Sequence, residues 1–246
     1  MNNNVKHDKK DLDLSCIVIT FNEQDNIERC LNALPQGAEI IIIDSFSTDK
    51  TCEICSKFNA KIYQKHFTNY ADQKNTAVKY ATKNWILSID ADEVISTSFK
   101  HYLEQQEFLK VSAKMPQIEG FYVKRNLIFL GKLMRFGKTC DYPIRLFKKK
   151  ENIFIGDIHE KVNIPKSNLK YLYYGQIYHY SYKNLDDYFA KFNTYTTQYA
   201  KTALKQHYMF STFKQYTFIF RPYTGFIIRY FLRLGFLDGY PGYCYA

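Results

Sequence analysis

Between Leu14 and Asp90 the chain repeats one pattern that leaves few folds open. Four short apolar runs, LSCIVIT (14–20), AEIIIIDS (38–45), AKIYQ (60–64) and NWILSID (84–90), alternate with three stretches whose apolar residues fall at helical spacing. Those stretches start at Asn22, with Ile27, Leu31 and Leu34 on one side, at Ser47, with Ile54 and Phe58, and at Tyr70, running to Thr82 with Ala77, Val78 and Ala81. The strand runs are continuous and rich in β-branched residues, as strands covered on both faces should be. Strand–helix alternation of this kind builds a parallel sheet through right-handed crossovers. The expected fold class is α/β: a Rossmann-like, mostly parallel sheet with helices on both faces, followed by a C-terminal helical extension. Asn22 and Ser47 are the expected caps of the first two helices. Ligands of such sheets gather at the carboxyl ends of the strands. Here those ends carry Thr20-Phe21-Asn22-Glu23, Asp44-Ser45 and Asp90-Ala91-Asp92.

After the fourth strand the alternation stops. A helix is expected around Ser98 to Leu109, and GFYVKRNLIF and YPIRLFKKK read as strands of a mixed edge. FIGDIHEKV links to a further short strand, LKYLYYG. Helical spacing returns from Asn184, and a second helical stretch runs from about Thr212 to Leu234 with an interruption near Pro222. The expected organisation is a disordered polar tail (1–11), one globular domain (12–182) and a basic, aromatic helical extension (183–246). Charge follows that division. Residues 161–246 hold 11 Lys/Arg against 3 Asp/Glu and 25 of the 43 aromatic residues, whereas residues 1–160 hold 23 against 21. A basic, aromatic back suits an anionic surface, either nucleic acid or acidic lipid headgroups. No run is long and apolar enough for a spanning helix, and no secretory signal is visible. Six cysteines are too few for a disulfide scaffold, and Cys52 and Cys55 have no second pair to complete a zinc site, so free thiols in a reducing cytoplasm are expected.

The carboxylates at the strand ends carry the chemistry. Residues i and i+2 of an extended strand share a face, so Asp90 and Asp92 point the same way if strand geometry persists. Two adjacent carboxylates repel unless a cation lies near, and hard oxygen ligands suit Mg²⁺ or Mn²⁺, which keep coordination sites for phosphate oxygens. An Asp-x-Asp there reads as a metal–diphosphate clamp. In isolation, a pair of solvated turn acids is the commoner explanation; the buried strand in front of it favours function. Asp44 could accept a hydrogen bond from a nucleobase or ribose, or simply cap the turn before Ser47. Glu23 could be a first-turn acid favoured by the helix dipole. Lys74 could meet a phosphate, or be an ordinary solvated lysine.

The stretches CIVITFNEQDNIERCL, IIIIDSFSTDKT, QKNTA and WILSIDADEV resemble the nucleotide-sugar domain of family 2 glycosyltransferases of the GT-A fold. GKLMRFGKTCDYPIRLF, IHEKV, YHYSY and GFLDGYPGY narrow the resemblance to bacterial lipopolysaccharide-core transferases related to the inner-core β-1,4-glucosyltransferase. It covers nearly the whole chain after residue 12. The resemblance implies a UDP-sugar donor, probed by Thr20, Asn22, Glu23 and Asp44 around uracil or ribose, with Lys74 near the same pocket. It implies Asp90 at ribose or metal, Asp92 as principal metal ligand, and a divalent Mg or Mn cofactor. It also implies an inverting displacement in which a carboxylate takes the proton of the acceptor hydroxyl. Two acids beyond the fourth strand qualify, Glu160 and Asp141; Glu160 is the first choice because its loop resembles the place where related transferases carry an acid pair. His159 beside it is a candidate metal or diphosphate contact. Family members commonly carry Tyr-Pro-Asp before the Arg-Leu-Phe segment, whereas this chain has Thr139-Cys140-Asp141. The implied acceptor is a lipopolysaccharide-core or related glycolipid. The basic back would meet the anionic inner face of the cytoplasmic membrane, and no nucleic acid is expected.

Two other functions fit parts of the sequence. A basic single-strand binder would use lysines and arginines interleaved with aromatics, but no nucleic-acid motif is present. A nucleotidyltransferase making an activated sugar shares the sheet. It needs a Gly/Arg-rich triphosphate loop after the first strand, and TFNEQDN has neither residue.

Overall fold

In the computed structural model, which describes residues 11–151, 153–156, 160–205 and 220–246, the four apolar runs form β1 (Leu14–Thr20), β2 (Glu39–Asp44), β3 (Lys61–Gln64) and β4 (Trp85–Asp90). They lie side by side as β3-β2-β1-β4, all parallel. The crossovers are α1 (Ile27–Ala33), α2 (Thr51–Ser56) and α3 (Tyr70–Tyr80). Alternate residues of one strand feed two cores. Leu14, Cys16 and Val18 pack with Ile27, Cys30 and Leu31 of α1 and Cys55 of α2. Ile17, with Ile41 and Ile43 of β2, packs against Ala71, Ala77 and Val78 of α3. Burial on both faces is why these strands read as unbroken apolar runs. Each such isoleucine contributes about 1.5–3 kcal/mol by leaving water.

Two helix starts differ from the sequence expectation. α1 begins at Ile27, because Asn22 sits in the left-handed region (φ 54°) and the Glu23 carbonyl accepts from the N–H groups of Asn26 and Ile27. α2 begins at Thr51, because Ser47 folds back onto Asp44 instead of capping. The third start holds: the Asn69 side chain accepts from the Asp72 N–H at 2.8 Å.

Beyond β4 the chain forms β5 (Glu93–Ile95), then α4 (Thr97–Glu104) and α5 (Glu107–Lys114). These two helices replace the single one expected, the break falling at Gln106, which is left-handed (φ 51°). β6 (Gly120–Phe129), β7 (Lys132–Leu133), β8 (Cys140–Asp141), β9 (Ile144–Lys148), the hairpin strands β10 (Phe154–Ile155) and β11 (Lys161–Val162), and β12 (Leu169–His179) follow. The sheet continues from β4 as β9-β6-β12-β5, with β9 antiparallel to β4 and β6 antiparallel to β9, so it is mixed on this side. Gly175 of β12 crosses tightly over Phe99 of α4, whose Cγ would lie 2.7 Å from any added Cβ.

The chain divides into two compact units. The first comprises the residues up to Arg125 with Tyr142–Tyr178, and the second Asn126–Asp141 with His179–Ala246. Residues 126–141 thus group with the C-terminal segment. In the second unit, Phe129 lies within 6 Å of the rings of Tyr182, Tyr188 and Tyr245 (5.7, 5.2 and 5.7 Å). The unit also contains α6 (Leu185–Lys205), helical residues 220–226, a π-helical turn (Ile227–Leu232), a 3₁₀ turn (Gly235–Asp238) and α7 (Gly239–Tyr245). Residues 212–219 of the expected second helical stretch lie outside the described residues. Pro222 is the third of the helical residues 220–226, with which the described part of that stretch begins. The buried Asp238 carboxylate accepts from the N–H groups of Arg135 and Phe136, and Gly242 packs directly on the Gly235 carbonyl.

All six cysteines are free. Burial pushes the Cys52 and Cys55 thiols up to about 11 and about 12, far from the range of reactive or metal-binding thiolates.

Candidate active site

The strand register brings three carboxyl ends level. Thr20 lies opposite Asp44, and Ile19 opposite Asp90. Two loops leave this edge and are laced to one another. Asn22 donates its N–H to Ser47 Oγ (2.9 Å) and accepts from the Thr48 N–H on Oδ1 (2.9 Å). Glu23 donates its N–H to Thr51 Oγ1 (2.8 Å), and its carboxylate accepts from Asn26 Nδ2 (2.8 Å). Asp44 is fully buried, and its oxygens take the N–H (2.9 Å) and hydroxyl (2.5 Å) of Ser47. It therefore plays the turn-capping part that its position allowed. Thr20 Oγ1 and Gln73 Oε1 are buried without a hydrogen-bond partner among the described residues. Phe21 and Phe46 are exposed along this edge, with Phe46 stacked on His66 (4.2 Å).

The third strand end holds a charge network. Lys74, on α3 and only 2% exposed, places Nζ 2.9 Å from Asp90 Oδ1 and 2.7 Å from Glu160 Oε1. It is a buried cation shared by two carboxylates, not a solvated lysine. Arg145 of β9 reaches Asp90 Oδ2 at 2.7 Å and also pairs with Glu93. Glu93, fully buried, takes Arg125 Nη1 at 2.9 Å as well. Three anions and three cations are thus joined in one cluster. Burial alone would push the Asp90 carboxyl up; the charges of Arg145 and Lys74 outweigh it and hold the group well below the usual carboxylate range. Burial alone would likewise lower Arg145, but Asp90 and Glu93 raise it, so the guanidinium stays charged.

The strand geometry on which a shared face of Asp90 and Asp92 depended does not persist through Asp92. β4 ends at Asp90, residues 91–92 make a turn, and Ala91 is buried. The cause is Glu93, whose Oε2 accepts the Asp90 N–H at 3.0 Å and closes the turn. Asp92 is left half-buried at its tip.

Among the described residues no group of three or more His, Cys, Asp or Glu side chains could hold a metal ion. His159 lies outside the described residues. Asp92 alone still fits a Mg²⁺ or Mn²⁺ ion, since such ions are commonly bound by one or two carboxylates plus substrate phosphates and water. Asp141 ends β8 in the second unit and is exposed. The structure therefore joins Lys74, Asp90 and Glu160 directly, and links Asn22 to the Asp44 turn through Ser47.

Sequence reasoning missed Arg145, Glu93 and Arg125. One signal was present: Arg145 stands between Ile144 and Leu146 in an apolar strand, and a cation buried there must be paired. Glu93 lay inside the DADEV run without being assigned a role.

Comparison with known proteins identifies the family. A family model described as glycosyl transferase family 2 matches residues 15–170. A glycosyltransferase of Rickettsia bellii is 31% identical over 238 residues, covering 92% of this chain and 80% of that protein. The lipopolysaccharide core biosynthesis glycosyltransferase LpsC of Rhizobium meliloti is 27% identical over 244 residues, covering 93% and 82%. Among solved structures, S. aureus TarS 1-349 in complex with UDP-GlcNAc is 24% identical with a TM-score of 0.40, covering 48% of this chain and 36% of that one.

Proposed function

The chain belongs to glycosyl transferase family 2 and has the GT-A fold, and from that footing we propose that it moves a hexose from a UDP-sugar to a lipopolysaccharide-core or related glycolipid acceptor, with inversion at the anomeric carbon. The observation that carries this reading is the Lys74 junction. It gathers a carboxylate distant in sequence, Glu160, beside the strand end that leads to Asp92. A displacement needs both parts: an acid that stays out of the metal site and a separate carboxylate facing the diphosphate.

In this reading the donor lies along the carboxyl edge. The laced loops bearing Thr20, Asn22 and Glu23 border the nucleoside, and Asp44 shapes that border through Ser47. The exposed ring of Phe21 and the Phe46–His66 stack offer flat faces to a base. Asp92 would hold a Mg²⁺ or Mn²⁺ ion, which when bound supplies charge stabilisation to the departing diphosphate. Glu160 takes the acceptor proton on Oε2, the oxygen that Lys74 does not engage. The freed oxygen attacks the anomeric carbon from the side opposite UDP. Asp141 is the second choice of base. The LpsC similarity supports a lipopolysaccharide-type acceptor.

The second unit supports a peripheral place on the inner face of the cytoplasmic membrane, where such an acceptor is anchored. No helix among the described residues is long and apolar enough to cross a membrane. Yet Ile227, Phe231, Leu232 (73% exposed), Phe236, Leu237 and Tyr240 stand exposed close to Arg221, Arg229 and Arg233. Apolar side chains interspersed with arginines suit the headgroup boundary of an anionic leaflet. Phe236, Leu237 and Tyr240 lie on the segment held by Asp238 and by the Gly235–Gly242 contact.

The deciding experiment offers the protein a panel of UDP-, GDP- and ADP-sugars. Slow hydrolysis of a UDP-hexose, and protection against thermal unfolding by it, are expected. Selective response to a non-uridine donor, or to RNA and no nucleotide sugar, refutes the reading.

A further inference from the structure

Arg145 reaches out of an apolar strand to the two carboxylates that bracket Asp92. We propose that it is a positioning residue for transfer. By clamping Asp90 and Glu93 it sets the turn that presents Asp92, and Asp90 faces protein cations in place of a metal ion. The inference rests on the transferase reading above and changes the part played by the first aspartate of the D-x-D.

Four observations converge. First, one guanidinium nitrogen serves both Asp90 Oδ2 (2.7 Å) and Glu93, while the Asp90 N–H donates to Glu93 Oε2 (3.0 Å). Residues 90 and 93 are thus tied through side chain and backbone alike, and only Ala91 and Asp92 lie between them. Second, Ala91 is buried whereas Asp92 is half-buried, so of the two turn residues Asp92 is the one partly open to solvent. Third, both oxygens of Asp90 face protein cations: Oδ2 takes Arg145, and Oδ1 lies 2.9 Å from Lys74 Nζ as an ion pair, without a hydrogen-bond partner among the described residues. A divalent ion on Asp90 would sit close to two protein cations, in a region where charges are poorly screened. Fourth, Lys74 also holds Glu160, so the network that sets Asp92 includes the candidate base.

The reach of the cation matters. The Nη2 that serves both carboxylates stands one bond further along the side chain than a lysine Nζ, and the guanidinium plane fixes its direction, whereas an ammonium sits on a flexible stem. Arg145→Lys keeps the charge and loses that reach and direction. It is expected to stay folded and to bind UDP within about threefold of wild type. Its kcat should fall by about 10²-fold with little change in KM, the effect of misplacing a reacting group by about an ångström. Glu93→Gln, which keeps the shape and removes one charge, should show the same split if Arg145→Lys does not fold.

The second arm reads binding without turnover. UDP is titrated calorimetrically with and without Mn²⁺ against wild type, Asp90→Asn and Asp92→Asn. The Mn²⁺-dependent gain should vanish in Asp92→Asn and survive in Asp90→Asn. Loss of that gain in both variants overturns the division of labour. Normal kcat in Arg145→Lys, or a fall in kcat no larger than the loss of folded protein accounts for, overturns the positioning role. Wild-type protein that binds no UDP refutes the donor reading, and the proposal falls with it. UDP binding that never responds to Mn²⁺ refutes Asp92 as a metal ligand and the part of the proposal built on it.

Discussion

Glu39 gives the sharpest test of the scaffold. It opens β2 at the end of the sheet opposite the candidate site, and four donors surround its carboxylate: Lys61 Nζ (2.7 Å), Ser15 Oγ (2.5 Å), Thr82 N (2.8 Å) and Thr82 Oγ1 (3.0 Å). They tie β1, β3 and the residues after α3 to one side chain. Burial would push this carboxyl up; the bonds from Lys61, Ser15 and Thr82 win and hold it at about 2, against 4.5 for a free glutamate. The unfolded chain then binds the proton more tightly than the folded one. The resulting stability is present above about pH 4.5 and is lost as pH falls toward about 2. At about 1.4 kcal/mol per tenfold change in acid strength, the upper bound is about 3 kcal/mol. Lys61 is half exposed, so solvent screens its share and leaves about 1–2 kcal/mol. Glu39→Gln keeps the shape and removes the charge. Urea melts of both proteins should show that gap at neutral pH and a gap reduced to less than half by about pH 3. A gap that stays constant from neutral pH to about pH 3 refutes the reasoning, because it would come from packing and not from the carboxylate.

Four further outcomes are expected. Asp92→Ala should abolish transfer while the thermal midpoint stays level or rises, because an acid at a turn tip serves catalysis more than folding; full activity in the presence of chelator would remove Asp92 from the metal role. Glu160→Gln should lower turnover by about 10²-fold or more with UDP-sugar affinity kept; if it transfers normally and Asp141→Asn is inactive, the base is Asp141. Gly175→Ala drives a methyl into Phe99, whose Cγ and Cα would lie 2.7 and 2.8 Å away, and should cost about 1–3 kcal/mol in denaturant melts; an unchanged midpoint would mean that the β12–α4 contact yields. In flotation assays the protein should rise with anionic vesicles, less so with added salt, and not with neutral ones; equal binding to both, or to neither, counts against the arginine-rich surface.

The parallel half of the sheet was legible because burial on both faces writes itself into neighbouring residues: Ile41, Ile42 and Ile43 are all fully buried, and each strand end is marked where the run meets a polar residue. Two of the three helix starts were not legible. Asn22 and Ser47 are good caps by residue type, but both spend their side chains on the opposite loop, and nothing local announces a partner some 25 residues away. The same limit governs the candidate site. Alternation along β4 predicts a pair of aspartates on one face if the strand continues; it ends at Asp90, where a glutamate one residue past the second aspartate accepts the Asp90 N–H and closes a turn. A lysine at the start of a helix reads as solvated until Asp90 and Glu160 close on it. Asp90 is reached from α3 and from β9, and Arg145 meets it because β9 inserts beside β4 in the antiparallel sense. Local pattern says where a sheet delivers its ligands, since every parallel strand ends at the same edge. It does not say which of those carboxylates are tied to cations, because that depends on Lys74 from α3 and on arginines brought in by later strands. The clamping of Asp90 is thus in part a property of strand order, and single substitutions at Arg145 and Glu93 are the place where strand order and catalysis can be separated.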